Sequence, residues 1–238
     1  MRSDRDVIVA LDFPDSSKTF EFIDKFESYP RKPFVKIGME LFYSEGPDIV
    51  RKIKARGHKI FLDLKLHDIP NTVKGGMRSL CSLGADMLNL HAAGGIDMMK
   101  AAVEGLAGAD NKPLLIAVTQ LTSISQEKLN NELLISGSID QVIINYAKNA
   151  KTAGLDGVVC SPLEAGKIHE AIGENFYTVT PGIRFTGSDA GDQARFTDPF
   201  KARELGSNFI VVGRPVTKAE DPVKAYEKCV KEFCEGVK

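Results

Sequence analysis

Residues 57–70 read Gly57-His58-Lys59-Ile60-Phe61-Leu62-Asp63-Leu64-Lys65-Leu66-His67-Asp68-Ile69-Pro70, and the alternation within them decides the fold. Gly57 closes a helical segment, because glycine takes the left-handed conformation past a helix end without a Cβ clash. An apolar run then begins with a period of two. Ile60, Leu62, Leu64 and Leu66 share one face, and Asp63 and Lys65 share the other. The chain next turns into another helical segment. A strand between two helical crossovers is a parallel strand, seldom solvated on either face. An amphipathic edge strand with its charges in water would show the same alternation, so the neighbouring sequence has to arbitrate.

The same unit recurs along the whole chain. Runs rich in Val, Ile and Leu occupy 7–12, 34–39, 59–65, 87–92, 114–121, 157–161, 177–183 and 209–216. Between them lie segments with helical spacing, such as Phe20, Ile23 and Phe26, or Ile139, Val142, Ile143 and Tyr146. Gly57, Gly84, Gly154, Gly173 and Gly206 each stand at the end of a helical segment, shortly before an apolar run. Eight strand–helix units in 238 residues fit an α/β fold of the (β/α)8 TIM-barrel type, which typically needs about 250. A doubly wound open sheet uses the same units but usually fewer strands, and its GxGxxG fingerprint follows none of the runs. No linker or composition shift divides the chain, so residues 1–238 are expected to form one barrel domain. Two connections are long. Residues 122–137 carry a short polar helix pattern, and the polar, glycine-punctuated segment 184–198 is a candidate lid.

Composition narrows the class. Hydrophobic residues make up 43% and charged residues 26%, as in a soluble globular enzyme with a sizeable core. Lys+Arg (31) nearly balance Asp+Glu (32), for a net charge of -1. That balance argues against nucleic acid or anionic lipid as a partner but permits a local phosphate pocket. No stretch approaches the roughly 18 apolar residues of a membrane span, and the charged start of the chain does not resemble a signal peptide. Cys81, Cys160, Cys229 and Cys234 lack CxxC spacing, which points away from a disulfide framework or zinc site. A cytoplasmic enzyme is expected.

The strand C-terminal ends form the active face of a barrel, and charged residues gather there. The first run ends in Asp12, the second holds Lys36 within apolar residues, and the third carries Asp63 and Lys65, with Asp68 just beyond. Two lysines and two aspartates make an alternating, neutral network suited to keeping a lysine cationic in a partly dry site. The seventh run ends Thr180-Pro181-Gly182-Ile183-Arg184 and the eighth ends Val212-Gly213-Arg214-Pro215. Glycines let a phosphate approach backbone N–H groups, arginines clamp it, and the loops after strands seven and eight are the habitual phosphate site of the fold. His67 and His91 fall at strand ends, whereas His58 and His169 read as structural or solvent-facing. No HExxH or similar ligand spacing occurs, so no metal site is expected. Met87, Met98 and Met99 read as core, and the lysine-rich 224–238 as a solvated helix face.

These residues resemble a known family. Asp63-Leu64-Lys65-Leu66-His67-Asp68-Ile69-Pro70-Asn71-Thr72 is similar to the D-x-K-x-x-D-I-x-x-T signature of orotidine 5′-monophosphate decarboxylases. The resemblance extends to Ala10-Leu11-Asp12, Val35-Lys36-Ile37-Gly38 and Val118-Thr119-Gln120-Leu121-Thr122-Ser123, and on to Gln193 and the two Gly/Arg strand ends. It implies a dimeric, cofactor-free barrel converting orotidine monophosphate to uridine monophosphate and CO2, the last step of de novo pyrimidine nucleotide synthesis. It also implies roles. Lys36, Asp63, Lys65 and Asp68 form the catalytic network, with Asp68 reaching a site across the dimer interface. Asp12 and Lys36, with Thr72 and Asp68 from the second subunit, hold ribose hydroxyls. Asp63, Ile69 and Pro181 border the substrate, and Thr122 faces the pyrimidine. Gln193, Arg184, Arg214 and the Gly213 amide surround the phosphate.

The chemistry suits the residues. Loss of CO2 from ring carbon six leaves an in-plane electron pair that the ring cannot delocalise well, and a fixed ammonium can stabilise the charge and then donate the proton. Two rivals remain. Sugar-phosphate decarboxylases and aldolases of the same superfamily share D-x-K-x-x-D but use a magnesium-bound enediolate and carry an acidic residue on strand two, where this chain has Lys36. A non-catalytic nucleotide-binding barrel would be expected to lose the costly charged network.

Overall fold

The computed structural model describes residues 5–185 and 197–238. Eight parallel strands close into a barrel in sequence order: β1 (Asp6–Ala10), β2 (Phe34–Gly38), β3 (Ile60–Leu66), β4 (Met87–His91), β5 (Leu114–Val118), β6 (Gly157–Val159), β7 (Tyr177–Thr180) and β8 (Phe209–Val212). β8 pairs back onto β1, with Ile8 opposite Val211.

Strand alternation sorts the side chains into two packed layers. Ile8, Phe34, Phe61, Met87, Ile116, Val179 and Phe209 fill the barrel interior. Val7, Val9, Val35, Ile37, Ile60, Leu62 and Leu88 point outward into the larger core shared with the helices. Closure brings β6 and β7 so near that a Cβ on Gly157 would run into the Tyr177 carbonyl, so only glycine fits there. At the barrel base, polar side chains just before a strand satisfy free N–H groups of its neighbour. Asp86 accepts from Ile60, Asp156 from Leu115 and Asn208 from Thr178, which terminates the ladder without orphaned donors.

The helices begin and end where local chemistry dictates. Ser138 and Ser161 open the helices Ile139–Ala153 and Pro162–Ile172 with capping boxes completed by Gln141 and Glu164. Gly57, Gly84, Gly154, Gly173 and Gly206 all take positive φ at helix-to-strand turns. The polar pattern in 122–137 is the helix Gln126–Asn131. Met87, Met98 and Met99 are core residues. His58 and His169 are both buried and structural: His58 Nδ1 lies 2.9 Å from Pro33 O and His169 Nε2 lies 3.1 Å from Phe176 O.

Apart from β3, the strands are shorter at their C-terminal ends than the apolar runs suggest. Met39 starts the helix Met39–Glu45, and residues 214–216 belong to the helical turn Arg214–Thr217 rather than to β8. Pro215 has no N–H for a ladder and a φ suited to a first helical turn. The C-terminal helix Pro222–Val230 is amphipathic rather than simply solvated, with Tyr226, Cys229 and Val230 buried. Among the described residues no helix is long and apolar enough to cross a membrane.

Candidate active site

Inward-facing positions at the strand C-termini carry the charges. Lys36 sits inside β2 while its neighbours Val35 and Ile37 pack outward, so its ammonium is delivered into the barrel mouth. There Lys36 Nζ lies 2.9 Å from Asp12 Oδ1 and 3.5 Å from Asp63 Oδ2. Lys65 Nζ lies 2.7 Å from Asp63 Oδ1. Asp63 is only 8% exposed. A carboxylate at that depth is tolerable because two cations flank it. Burial opposes its charge, but Lys36 and Lys65 outweigh burial and hold its pKa below the usual carboxylate range. Burial likewise opposes the charge on Lys36, and Asp63 with Asp12 reverses the balance, so its pKa stands above the ordinary lysine value.

The backbone of β3 bends to make this arrangement. Leu62 pairs with Leu88 and Leu66 with Leu90, so over that span β3 carries two more residues than β4. Within the bulge Lys65 takes φ 52, a left-handed conformation that typically costs a non-glycine residue about 1–3 kcal/mol. Asn89 on β4 braces it. The Lys65 N–H donates to Asn89 Oδ1 at 2.8 Å, and Asn89 Nδ2 donates to Asp63 Oδ1 at 2.6 Å. Asn89 did not stand out in the sequence. The available signal was its place between the apolar Leu88 and Leu90, a polar residue on the inward face of β4 two residues after Met87.

Two adjoining cavities open above the charges. The first, about 240 Å³, is walled by Phe61, Val118, Val159 and Val211, with Lys36, Asp63 and Lys65 on one side and Gln120, Thr122 and Pro181 nearby. Apolar walls with a few polar edges suit a planar heterocycle. The second, about 450 Å³, is lined by Asp12, Arg184, Gly213, Arg214 and Lys218. Lys36, Pro181 and Val211 border both, so one elongated ligand can span an apolar slot and a cationic cup. Lys218 is a further cation of the cup that the sequence did not single out; it follows the helical turn Arg214–Thr217. Arg184 is buried, and its Nη1 donates to Ile183 O at 2.8 Å.

The base of the 184–198 segment is pinned: Arg184 N donates to Thr197 O and Thr197 N to Gly182 O, each at 2.9 Å. Gln193 and the body of the candidate lid, residues 186–196, lie outside the described residues.

Three expected site residues stand apart from the network within one chain. Asp68, Ile69 and Thr72 are exposed where β3 passes into the helix Pro70–Cys81. Asp68 Oδ1 accepts from the Ile69 N–H at 2.7 Å, and among the described residues Asp68 forms no ion pair. His91 lies beside His67, with ring centroids 5.4 Å apart. Burial, His67 and Lys65 push the pKa of His91 down, so the ring favours the neutral form. Among the described residues no three His, Cys, Asp or Glu side chains gather in a metal-holding group.

Comparison with known proteins identifies the family. Residues 5–229 match the model of the orotidine 5′-phosphate decarboxylase / HUMPS family. The chain is 55% identical over 235 residues to an orotidine 5′-phosphate decarboxylase of Bacillus mycoides (strain KBAB4), covering 97% of this chain and 98% of that protein. Its fold is similar to the crystal structure of orotidine 5′-phosphate decarboxylase from Lactobacillus acidophilus, with TM-score 0.86 and 47% identity over 97% of this chain and 99% of the other. The enzyme of that name from Pyrococcus horikoshii OT3 aligns with TM-score 0.75 at 25% identity, over 95% of this chain and 98% of that one.

Proposed function

The chain belongs to the orotidine 5′-phosphate decarboxylase / HUMPS family, and from that premise we propose that it decarboxylates orotidine 5′-monophosphate to uridine 5′-monophosphate and CO2, the last step of de novo pyrimidine nucleotide synthesis. One observation carries the reading: a buried carboxylate, Asp63, holds two ammonium groups beside an apolar slot that adjoins an arginine-lined cup. The slot fits the pyrimidine beside Thr122 and Pro181, and the cup fits the phosphate, with Gln193 expected to join Arg184, Arg214 and the Gly213 amide. We assign the ribose hydroxyls to Lys36, which borders both cavities, and to Asp12, which pairs with it at the edge of the cup.

The reaction then follows from charge placement. The bond between C6 and the carboxylate breaks, CO2 leaves, and the electron pair stays on C6. The Lys65 ammonium stabilises that pair and gives it a proton, and the resulting amine regains a proton from solvent. Such stabilisation acts where charge develops and needs no reorganisation. Contacts to the remote phosphate supply binding energy that orders the site for this step.

The family name covers a second branch, and Lys36 argues for the decarboxylase. A divalent cation drawn to Asp63 would lie beside two ammonium groups, an environment opposed to metal binding. The proposed reaction therefore runs without a metal. We also propose that the working unit is a homodimer, in which the partner's Asp68 and Thr72, with Ile69, complete each site. Support comes from the exposure of that turn beside an apolar groove bordered by Met39, Tyr43, Leu64, Leu66 and Leu80. The four free cysteines favour a reducing, cytoplasmic setting.

Ultraviolet absorbance of orotidine monophosphate mixed with the protein, with and without EDTA, tests the proposal. Conversion in both samples is expected. Conversion that EDTA abolishes and magnesium restores would indicate metal chemistry. Binding without conversion would indicate a nucleotide-binding barrel.

A further inference from the structure

Asn89 is an uncharged residue among charges, 1% exposed, on an inward position of β4. Both ends of its amide are engaged. Its Oδ1 takes the Lys65 N–H at 2.8 Å, and its Nδ2 donates at 2.6 Å to Asp63 Oδ1, the same oxygen that receives Lys65 Nζ at 2.7 Å. The four contacting groups close a ring: the Asn89 amide, the Asp63 carboxylate, the Lys65 ammonium and the Lys65 backbone. That ring encloses the left-handed turn at Lys65.

We propose that Asn89 is a positioning residue for the decarboxylation, fixing the Lys65 backbone in its bulged conformation and sharing Asp63 Oδ1 with the Lys65 ammonium. The proposal deepens the decarboxylase reading and rests on it. Without the brace, the backbone is free to leave the left-handed region and carry the ammonium away from the reacting carbon. Without the donated N–H, Asp63 Oδ1 bonds Lys65 alone. Few side chains of this length both accept and donate. Leucine does neither, and an ionised aspartate only accepts.

This predicts a specific response to Asn89→Asp. The new carboxylate keeps the acceptor for the Lys65 N–H but turns a negative oxygen toward Asp63. Protonation restores a donor. The groups surrounding position 89 are Asp63 and Lys65 on β3, Lys36 beyond them on β2, His91 two residues along β4, and His67 against His91. From β5 the paired residue is the uncharged Ile116. All of these are present in the parent, whose profile isolates the new carboxyl.

The experiment measures kcat against pH for the parent, Asn89→Asp and Asn89→Ala, with uridine monophosphate affinity by calorimetry and thermal melting alongside. Asn89→Ala should lose roughly 10- to 100-fold in kcat, as for a lost hydrogen bond to a charged group, with product affinity within about threefold. Asn89→Asp should be slow near pH 8 and regain activity relative to the parent as pH falls. Parallel profiles for the parent and Asn89→Asp would overturn the proposal, as would an Asn89→Ala variant with parental kcat or with kcat and product affinity falling together. Should Asn89→Ala fail to fold, the isosteric Asn89→Asp decides. A parent chain that does not turn over orotidine monophosphate fails the decarboxylase reading and this proposal together; an active parent with parallel profiles fails this proposal alone.

Discussion

The Lys65 ammonium lies 2.7 Å from Asp63 Oδ1, a contact between side chains two residues apart on one strand that the left-handed turn at Lys65 helps to shape. Asp63 in turn leaves its second oxygen for Lys36, 3.5 Å away. One buried carboxylate thus pairs with two ammonium groups, and the cavity above them is where the reacting carbon is proposed to sit.

Lys65→Ala should abolish turnover while leaving nucleotide binding largely intact. Lys65 is assigned to charge that develops mainly in the transition state, so its loss belongs in kcat rather than KM. Steady-state kinetics with product-binding calorimetry checks this. Turnover equal to the parent would remove Lys65 from the mechanism.

Arg214→Ala should lower kcat/KM for orotidine monophosphate by about 1.5–3 kcal/mol for the lost charged hydrogen bond. The defect should nearly vanish for orotidine, which has no phosphate for the cup to hold. An equal loss for nucleoside and nucleotide would mean that the guanidinium does not grip the phosphate.

A mixture of Lys65→Ala and Asp68→Ala chains, unfolded and reassembled, should recover activity that neither variant has alone. If each barrel takes its Asp68 from the partner, a heterodimer has one intact site and one site lacking both groups. Random pairing makes about half the dimers heterodimers, so about a quarter of the parental activity should return. Heterodimers confirmed by mass spectrometry but inactive would place Asp68 in its own subunit's site, or in none.

Acid stability should report on Asp63. Its folded-state pKa lies below the ordinary value because Lys36 and Lys65 outweigh burial. The stabilisation it contributes is therefore present above the unfolded-state pKa of about 3.9 and is lost as pH falls through the lower folded value. At pH 7 Asp63→Asn should cost about 3–5 kcal/mol, since it leaves two ammonium groups facing a neutral amide. Urea midpoints taken from pH 7 downward should show the gap between parent and variant narrowing below about pH 4. A gap that stays constant over that range would mean that the ion pairs contribute nothing to folding.

The parts of this protein legible in the sequence are those set by short-range chemistry. Alternating residues in eight apolar runs and the helix-ending glycines lead to the barrel, and Asp12, Lys36, Asp63 and Lys65 fall on one inward face by parity alone. Strand ends were less legible. An apolar run does not show where the sheet runs out of partners, as Met39 and Pro215 illustrate. Asp68, Ile69 and Thr72 carry a recognisable motif, yet a single chain leaves them exposed, and in the proposed homodimer their partners would come from another copy.

Sequence periodicity by itself determined which face each strand residue takes, because side-chain direction alternates with every residue and closure of the barrel makes one face interior. Tertiary structure alone decided the distances between charges. Asn89 is 24 residues from Lys65 and 26 from Asp63, and only the β3–β4 register brings its amide between them. Hydrogen bonds act over about 3 Å, so a bulge of two residues, which a pattern of alternation does not reveal, separates a loose pair of charges from a braced one.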